Sequence, residues 1–134
     1  MRQSLALNEQ LTAGRVLLAQ ALAMSDSLDE AVVEYRRVLD VEPDNAKALR
    51  GITYCLIRTA RYQEAMEAYR GWTELEPENA DAWAGLGNAW LGLQDLDRAE
   101  EAFLRARALD AQNPTMKKGM ELIEKARGAT PAGP

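Results

Sequence analysis

No histidine occurs anywhere in this chain of 134 residues. That removes the commonest general base and the commonest metal ligand together. Cysteine occurs once, at Cys55, so no internal disulfide can form and the fold must rest on its apolar core. Proline is sparse, 5 in all, and appears at punctuated places rather than scattered. Basic residues are outnumbered, 16 Lys and Arg against 21 Asp and Glu, for a net charge of −5. Such a chain lacks the clustered positive surface that phosphate backbones require, so nucleic acid is not an expected partner. No apolar run approaches the ~20 residues of a membrane span. Residues 1–9 mix polar with apolar side chains and do not read as a secretion signal. The expectation is a soluble, cytoplasmic protein.

What the chain has in abundance is Ala, Leu, Glu and Arg, a composition that favours helix. It also has a period. Ala31, Ala65 and Ala99 are evenly spaced, and Asn45, Asn79 and Asn113 keep the same step. That step also joins Tyr35, Tyr69 and Phe103, and the acidic column Glu42, Glu76 and Asp110. Apolar columns Leu18, Ile52, Leu86 and Leu22, Leu56, Trp90 follow it too. A fixed period between 20 and 50 positions marks a stacked repeat. Three repeats are read, at 12–45, 46–79 and 80–113.

Each repeat reads as two helices. In the third, Trp83, Leu86, Trp90 and Leu93 have helical spacing, and after a polar break so do Leu96, Ala99, Phe103 and Ala106. Ser27 and Asp95 are suited to cap second helices, and Asn79 the helix that follows it. Pro43 and Pro77 are placed to stop the second helices, since proline donates no amide hydrogen. Residues 114–127 read as a closing helix with an apolar stripe of Met116, Met120 and Ile123. Its Lys117, Glu121 and Glu124 face water, as the end of a repeat array requires. Residues 128–134 read as a disordered tail, and Leu5, Leu7 and Leu11 as an N-terminal extension of the first helix.

The segment Trp83-Ala84-Gly85-Leu86-Gly87-Asn88-Ala89-Trp90, followed by Ala99, Phe103, Ala106 and Leu109, resembles a tetratricopeptide repeat. The second unit resembles it through Leu49, Ile52, Leu56, Ala65, Tyr69 and Pro77. The first resembles it more weakly, because Arg15 stands where a large apolar residue is usual. Trp72 departs from a column that is normally small, and Ala111 replaces the closing proline. The resemblance implies an all-α fold, a right-handed α-α superhelix of three helix-turn-helix repeats plus a capping helix, in one domain over 1–127.

It also implies a protein-protein interaction module whose first helices bind a peptide or extended partner segment in a concave groove, as an adaptor, scaffold or co-chaperone. Carried onto this chain, the groove takes Gln20 and Met24, then Lys47, Arg50, Tyr54, Ile57 and Arg58, then Asn88 and Leu91, and Lys118 from the closing helix. Ala84 and Gly85 also map to it. Basic residues outnumber acidic ones there, which suits a partner of some acidic character. Gly51, Gly85 and Gly119 recur on this face, and two explanations stand: room for a ligand chain, or tight winding of the helices. Relatives that grip acidic chaperone tails do so with Lys, Asn and Arg. The matching positions here are Val16, Gln20, Gly51, Asp81 and Gly85, so binding of that tail is not expected.

No catalytic set is legible. Cys55 lies in an apolar helical stretch, Gly85-Leu86-Gly87 belongs to the repeat, and no metal-ligand spacing appears. The expectation is therefore no enzyme, no metal and no cofactor. Acidic pairs such as Glu100-Glu101 read as solvated faces, with Arg105 four residues after Glu101 as its partner. A self-assembling scaffold is the alternative reading, a homo-oligomer held through Leu5, Leu7, Val33, Leu104 and Trp72.

Overall fold

Among the described residues, alanine columns, asparagine caps and apolar stripes resolve into seven helices. The computed structural model describes residues 2–129, with side chains from 9 to 128. The helices are α1 (Arg2–Met24), α2 (Leu28–Val41), α3 (Ala46–Arg58), α4 (Tyr62–Leu75), α5 (Ala80–Gly92), α6 (Leu96–Leu109) and α7 (Pro114–Ala129), and no strand occurs among the described residues. The fold is all-α.

The chain divides into two compact units, Met1–Arg61 and Tyr62–Pro134. In the first, α2 packs on both α1 and α3, and α1 also meets α3. In the second, α5 packs on α4 and α6, and α7 packs on both α5 and α6. The alanine column lets paired helices approach closely: Ala31, Ala65 and Ala99 are all 0% exposed. Thr53, also buried, satisfies its hydroxyl by donating to the Leu49 carbonyl at 2.8 Å.

The asparagine column caps the first helices. The Asn45, Asn79 and Asn113 side-chain oxygens accept from the amides of Ala48, Ala82 and Met116 at 3.0, 3.2 and 3.0 Å. The acidic column explains itself here. Glu42 and Glu76 accept from the Asn45 and Asn79 side-chain amides at 2.9 and 2.7 Å, holding each cap in place. Asp110 is one methylene shorter, and Asn113 donates instead to Asp81 at 2.8 Å. Asp95 caps α6 through the Arg98 amide. Ser27 occupies the corresponding position before α2 but makes no side-chain capping bond.

Proline is not what ends the second helices. α6 stops at Leu109 without one, at the repeat position where α2 and α4 stop. All three share the next turn instead, with the amides of Asn45, Asn79 and Asn113 donating to the carbonyls of Glu42, Glu76 and Asp110.

The turn inside each hairpin has its own signature. Asp26, Ala60 and Gln94 hold one repeat position and carry φ of 64, 59 and 63°. Around each, two nested bonds close the preceding helix: at the second turn, Arg61 N donates to Leu56 O at 2.8 Å and Ala60 N to Ile57 O at 3.1 Å. This is the Schellman arrangement, which ordinarily places glycine at the left-handed residue. Here none of the three is glycine.

At the chain's ends, α1 starts at Arg2, and the side chains of Leu5 and Leu7 lie outside the described ones. α7 runs to Ala129, past the expected boundary at Arg127. Gly128 weakens the helix but keeps helical backbone, with no left-handed φ to end it; Pro131 disfavours helical backbone at the residue before it. The rest of the expected tail, 130–134, lies outside the described residues. Met116 and Ile123 of α7 are buried, while Lys117, Glu121 and Glu124 are exposed.

Candidate functional site

The first helices of the repeats supply the candidate site. In the first unit, α1 and α3 bring Gln20, Lys47, Arg50 and Tyr54 around one hollow of about 400 Å3, with Gly51 and the buried Tyr35 of α2 also lining it. A neighbouring hollow of about 560 Å3 shares Gln20, Lys47 and Arg50 and extends along α1 past Leu17, Ala13 and Glu9. Arg58 lies over the Tyr54 ring, 5.4 Å from its centroid, so one end of the site is a cation held on an aromatic face. Tyr54 is about half exposed. Ile57 is half-buried, and Met24, at the end of α1, is 88% exposed and lines neither hollow.

The remaining expected residues belong to the second unit. Asn88 and Leu91 are half-buried on α5, and Lys118 is exposed on α7. Ala84 and Gly85, which also mapped to the ligand face, are buried.

The recurring glycines are explained by packing. A Cβ at Gly51, Gly85 or Gly119 would fall under 3.0 Å from the ring of Tyr35, Tyr69 or Phe103 respectively. Each aromatic of a second helix thus seats on a glycine of the next first helix, at a constant separation along the chain. Phe103 is gripped twice, because a Cβ at Gly87 would meet it as well. The two periodic columns are halves of one contact, and of the two sequence explanations tight helix packing holds.

The period gives Tyr35 only as a member of the aromatic column with Tyr69 and Phe103. Its ring is buried, yet it also lines the ligand-side hollow, and the column carried a signal for this: a tyrosine at a position where Phe103 shows that no hydroxyl is needed. Burial raises the Tyr35 phenol and the Cys55 thiol above their ordinary values; Cys55 adds to the rise at Tyr35, while Arg58 partly offsets that at Cys55. A buried thiol held protonated is a poor nucleophile.

Arg105, expected to pair with Glu101, lies over the Trp83 ring at 5.0 Å instead, and Arg98 lies over Trp90 at 4.9 Å. Trp72, expected as an exposed contact, is 4% exposed; it stacks on Tyr69 and donates to Glu76 at 3.0 Å. No group of three or more metal-ligating side chains gathers among the described residues, and no helix there is long and apolar enough to cross a membrane.

No curated protein sequence matches the chain. Solved structures do match its fold. The first TPR domain of Spaghetti (RPAP3), solved with the HSP90 peptide SRMEEVD, is 19% identical with a TM-score of 0.81, over 90% of this chain and 95% of that one. The TPR domain of Arabidopsis OM64 gives 19% and 0.81, over 89% and 98%. PcrH of Pseudomonas aeruginosa, in complex with the chaperone-binding region of PopD, gives 20% and 0.76, over 90% and 93%. The tetratricopeptide repeat family model matches residues 22–74 and 56–123. Those two stretches contain the capped hairpins and the whole of the aromatic and glycine columns described above, and on them this chain belongs to the tetratricopeptide repeat family.

Proposed function

We propose that the chain is a protein-interaction module that holds an extended segment of a partner protein against its first helices. The observation that carries this is the hollow between α1 and α3, where Lys47, Arg50, Gln20 and Tyr54 converge. The amide of Gln20 and the hydroxyl of Tyr54 are suited to a peptide backbone. Lys47 and Arg50, with no acidic residue among the described ones lining that hollow, favour a segment of acidic character there, while Glu9 and Glu42 line the adjoining hollow. Leu17, 66% exposed in the adjoining hollow, offers an apolar seat. Two of the structural neighbours were solved with segments of other proteins, which supports a protein partner here. An adaptor or co-chaperone role follows from this reading.

The test is charge reversal at Arg50 and Arg58. A partner is first captured on the immobilised wild-type chain and its binding segment mapped with synthetic peptides. Peptide affinity for R50E/R58E should fall at least tenfold, with the helical circular dichroism spectrum unchanged. Undiminished binding by the double variant refutes the first-helix reading.

A further inference from the structure

A second arrangement of charge and aromatic surface lies within the second unit, on α4, α5 and α6. α5 and α6 run antiparallel, and their register sets Trp83 against Arg105 and Trp90 against Arg98. The two tryptophans are two helical turns apart, so the pairs stand ~10 Å apart along α5. Between them lies a hollow of about 370 Å3, floored by Leu86 and Ala102 and rimmed also by Arg70 of α4 and Glu101.

The local charge opposes that of the chain. Three guanidiniums face one carboxylate on a protein of net charge −5. Arg98 shares its charge with Asp95 at 3.6 Å and its side chain is 62% exposed. Among the described residues neither Arg70 nor Arg105 forms an ion pair. Stacking matters to what these groups can do. A guanidinium lying on a ring uses its face and leaves its N–H edges pointing outward, where they can meet a carboxylate two bonds at a time. The ring also fixes the arginine before a ligand arrives, so less freedom is lost on binding.

We propose that this hollow is a second binding site, for an acidic segment of a partner protein. Carboxylates of the segment meet the edges of Arg98, Arg105 and Arg70, and an apolar side chain enters over Ala102 between the tryptophans. The ~10 Å between the pairs is the reach of about three residues of extended chain.

The probe is the capped peptide (Glu-Leu)3, titrated while tryptophan emission and heat are recorded, with (Gln-Leu)3 as the neutral control. Saturable binding of the acidic peptide is expected, weakening several-fold as salt rises from about 20 to 200 mM. R98Q/R105Q should weaken it at least tenfold. R70Q, which leaves both ring-stacked arginines in place, should weaken it several-fold and guards against an effect of lost stacking. In R50E/R58E the emission titration, which reports on Trp83 and Trp90 in this hollow, should keep its midpoint within about twofold of wild type, while any heat from binding at α1 and α3 is lost, which separates the two sites. Equal binding of (Gln-Leu)3, absence of saturation, or loss of the emission change in R50E/R58E each overturns the proposal. So does self-association of the wild type that R98Q/R105Q abolishes without any peptide binding, which would make the occupant a second copy of the chain.

Discussion

Replacing Gly119 with alanine puts a methyl group into the face of Phe103. In an open helical position that exchange stabilises by about 1 kcal/mol, because glycine gives up more backbone freedom on folding. Gly71 of α4 is such a position, with nothing within 4 Å of the added Cβ. At Gly119 the Cβ lies under 3.0 Å from three atoms of the Phe103 ring. The ring has little room to yield: it is 0% exposed, and it also packs so closely on Gly87 that a Cβ there would meet it under 3.0 Å. Forcing a methyl into a filled core costs about 1–3 kcal/mol. Gly119→Ala should therefore destabilise or at best break even, and should fall about 1–3 kcal/mol below Gly71→Ala. Urea denaturation followed by circular dichroism measures both, with the slope checked for constancy so that midpoints can be compared. In the F103L background the steric penalty should shrink and the ordinary alanine gain reappear. A Gly119→Ala variant that gains as much stability as Gly71→Ala, in the wild-type background, refutes the account of the glycine column.

Ala60→Gly should stabilise by about 0.5–1 kcal/mol, since the left-handed residue loses its Cβ strain and the gain exceeds the added freedom of the unfolded chain; thermal melts decide it, and a lowered midpoint counts against the turn analysis. Alkaline conditions should erode stability. Tyr35 and Cys55 hold their protons above the ordinary 10.0 and 9.0 when folded, so the unfolded chain releases them first. Their contribution is full below about pH 8 and falls as pH rises past 9, because there the unfolded state binds fewer protons. Urea midpoints at pH 8 and pH 10 should draw closer together in C55A/Y35F than in wild type, and an unchanged difference removes these two groups from the account. The HSP90 heptapeptide SRMEEVD should show no micromolar affinity, because Val16, Gln20, Gly51, Asp81 and Gly85 stand where a tail clamp needs cations and asparagines; calorimetric titration tests this directly.

Much of the fold could be read from the period. The asparagine column located the starts of α3, α5 and α7, because a cap is a local bond between neighbours in sequence. The alanine column was legible as a period, and burial shows it to mark helix contacts, which only small side chains tolerate. The left-handed turns at Asp26, Ala60 and Gln94 were hidden because their usual marker, glycine, is missing. The role of Gly51, Gly85 and Gly119 was hidden for a different reason. A glycine records that something comes close, but the partner lies on the helix before it, beyond the reach of any local pattern. The Glu101 and Arg105 spacing suggested a local ion pair, yet the ring of Trp83 competes for the same guanidinium, and only the register of α5 against α6 reveals it. The mapped ligand face was divided: Lys47, Arg50, Tyr54 and Gln20 converge, whereas Ala84 and Gly85 on the corresponding helix are buried.

The seating of each aromatic on a glycine of the following helix bears on how such a chain can be lengthened or cut. By sequence the unit is a first helix followed by a second, but the interlocking halves sit on a second helix and the first helix after it. α2 with α3, α4 with α5, and α6 with α7 are thus the pieces that carry a complete joint. The division of the chain at Arg61 and Tyr62 falls between two such pieces and inside a sequence repeat. An added module spliced at that phase would bring its own ring and its own socket. One spliced in the middle of a piece would part the aromatic from its glycine and leave both to find new neighbours.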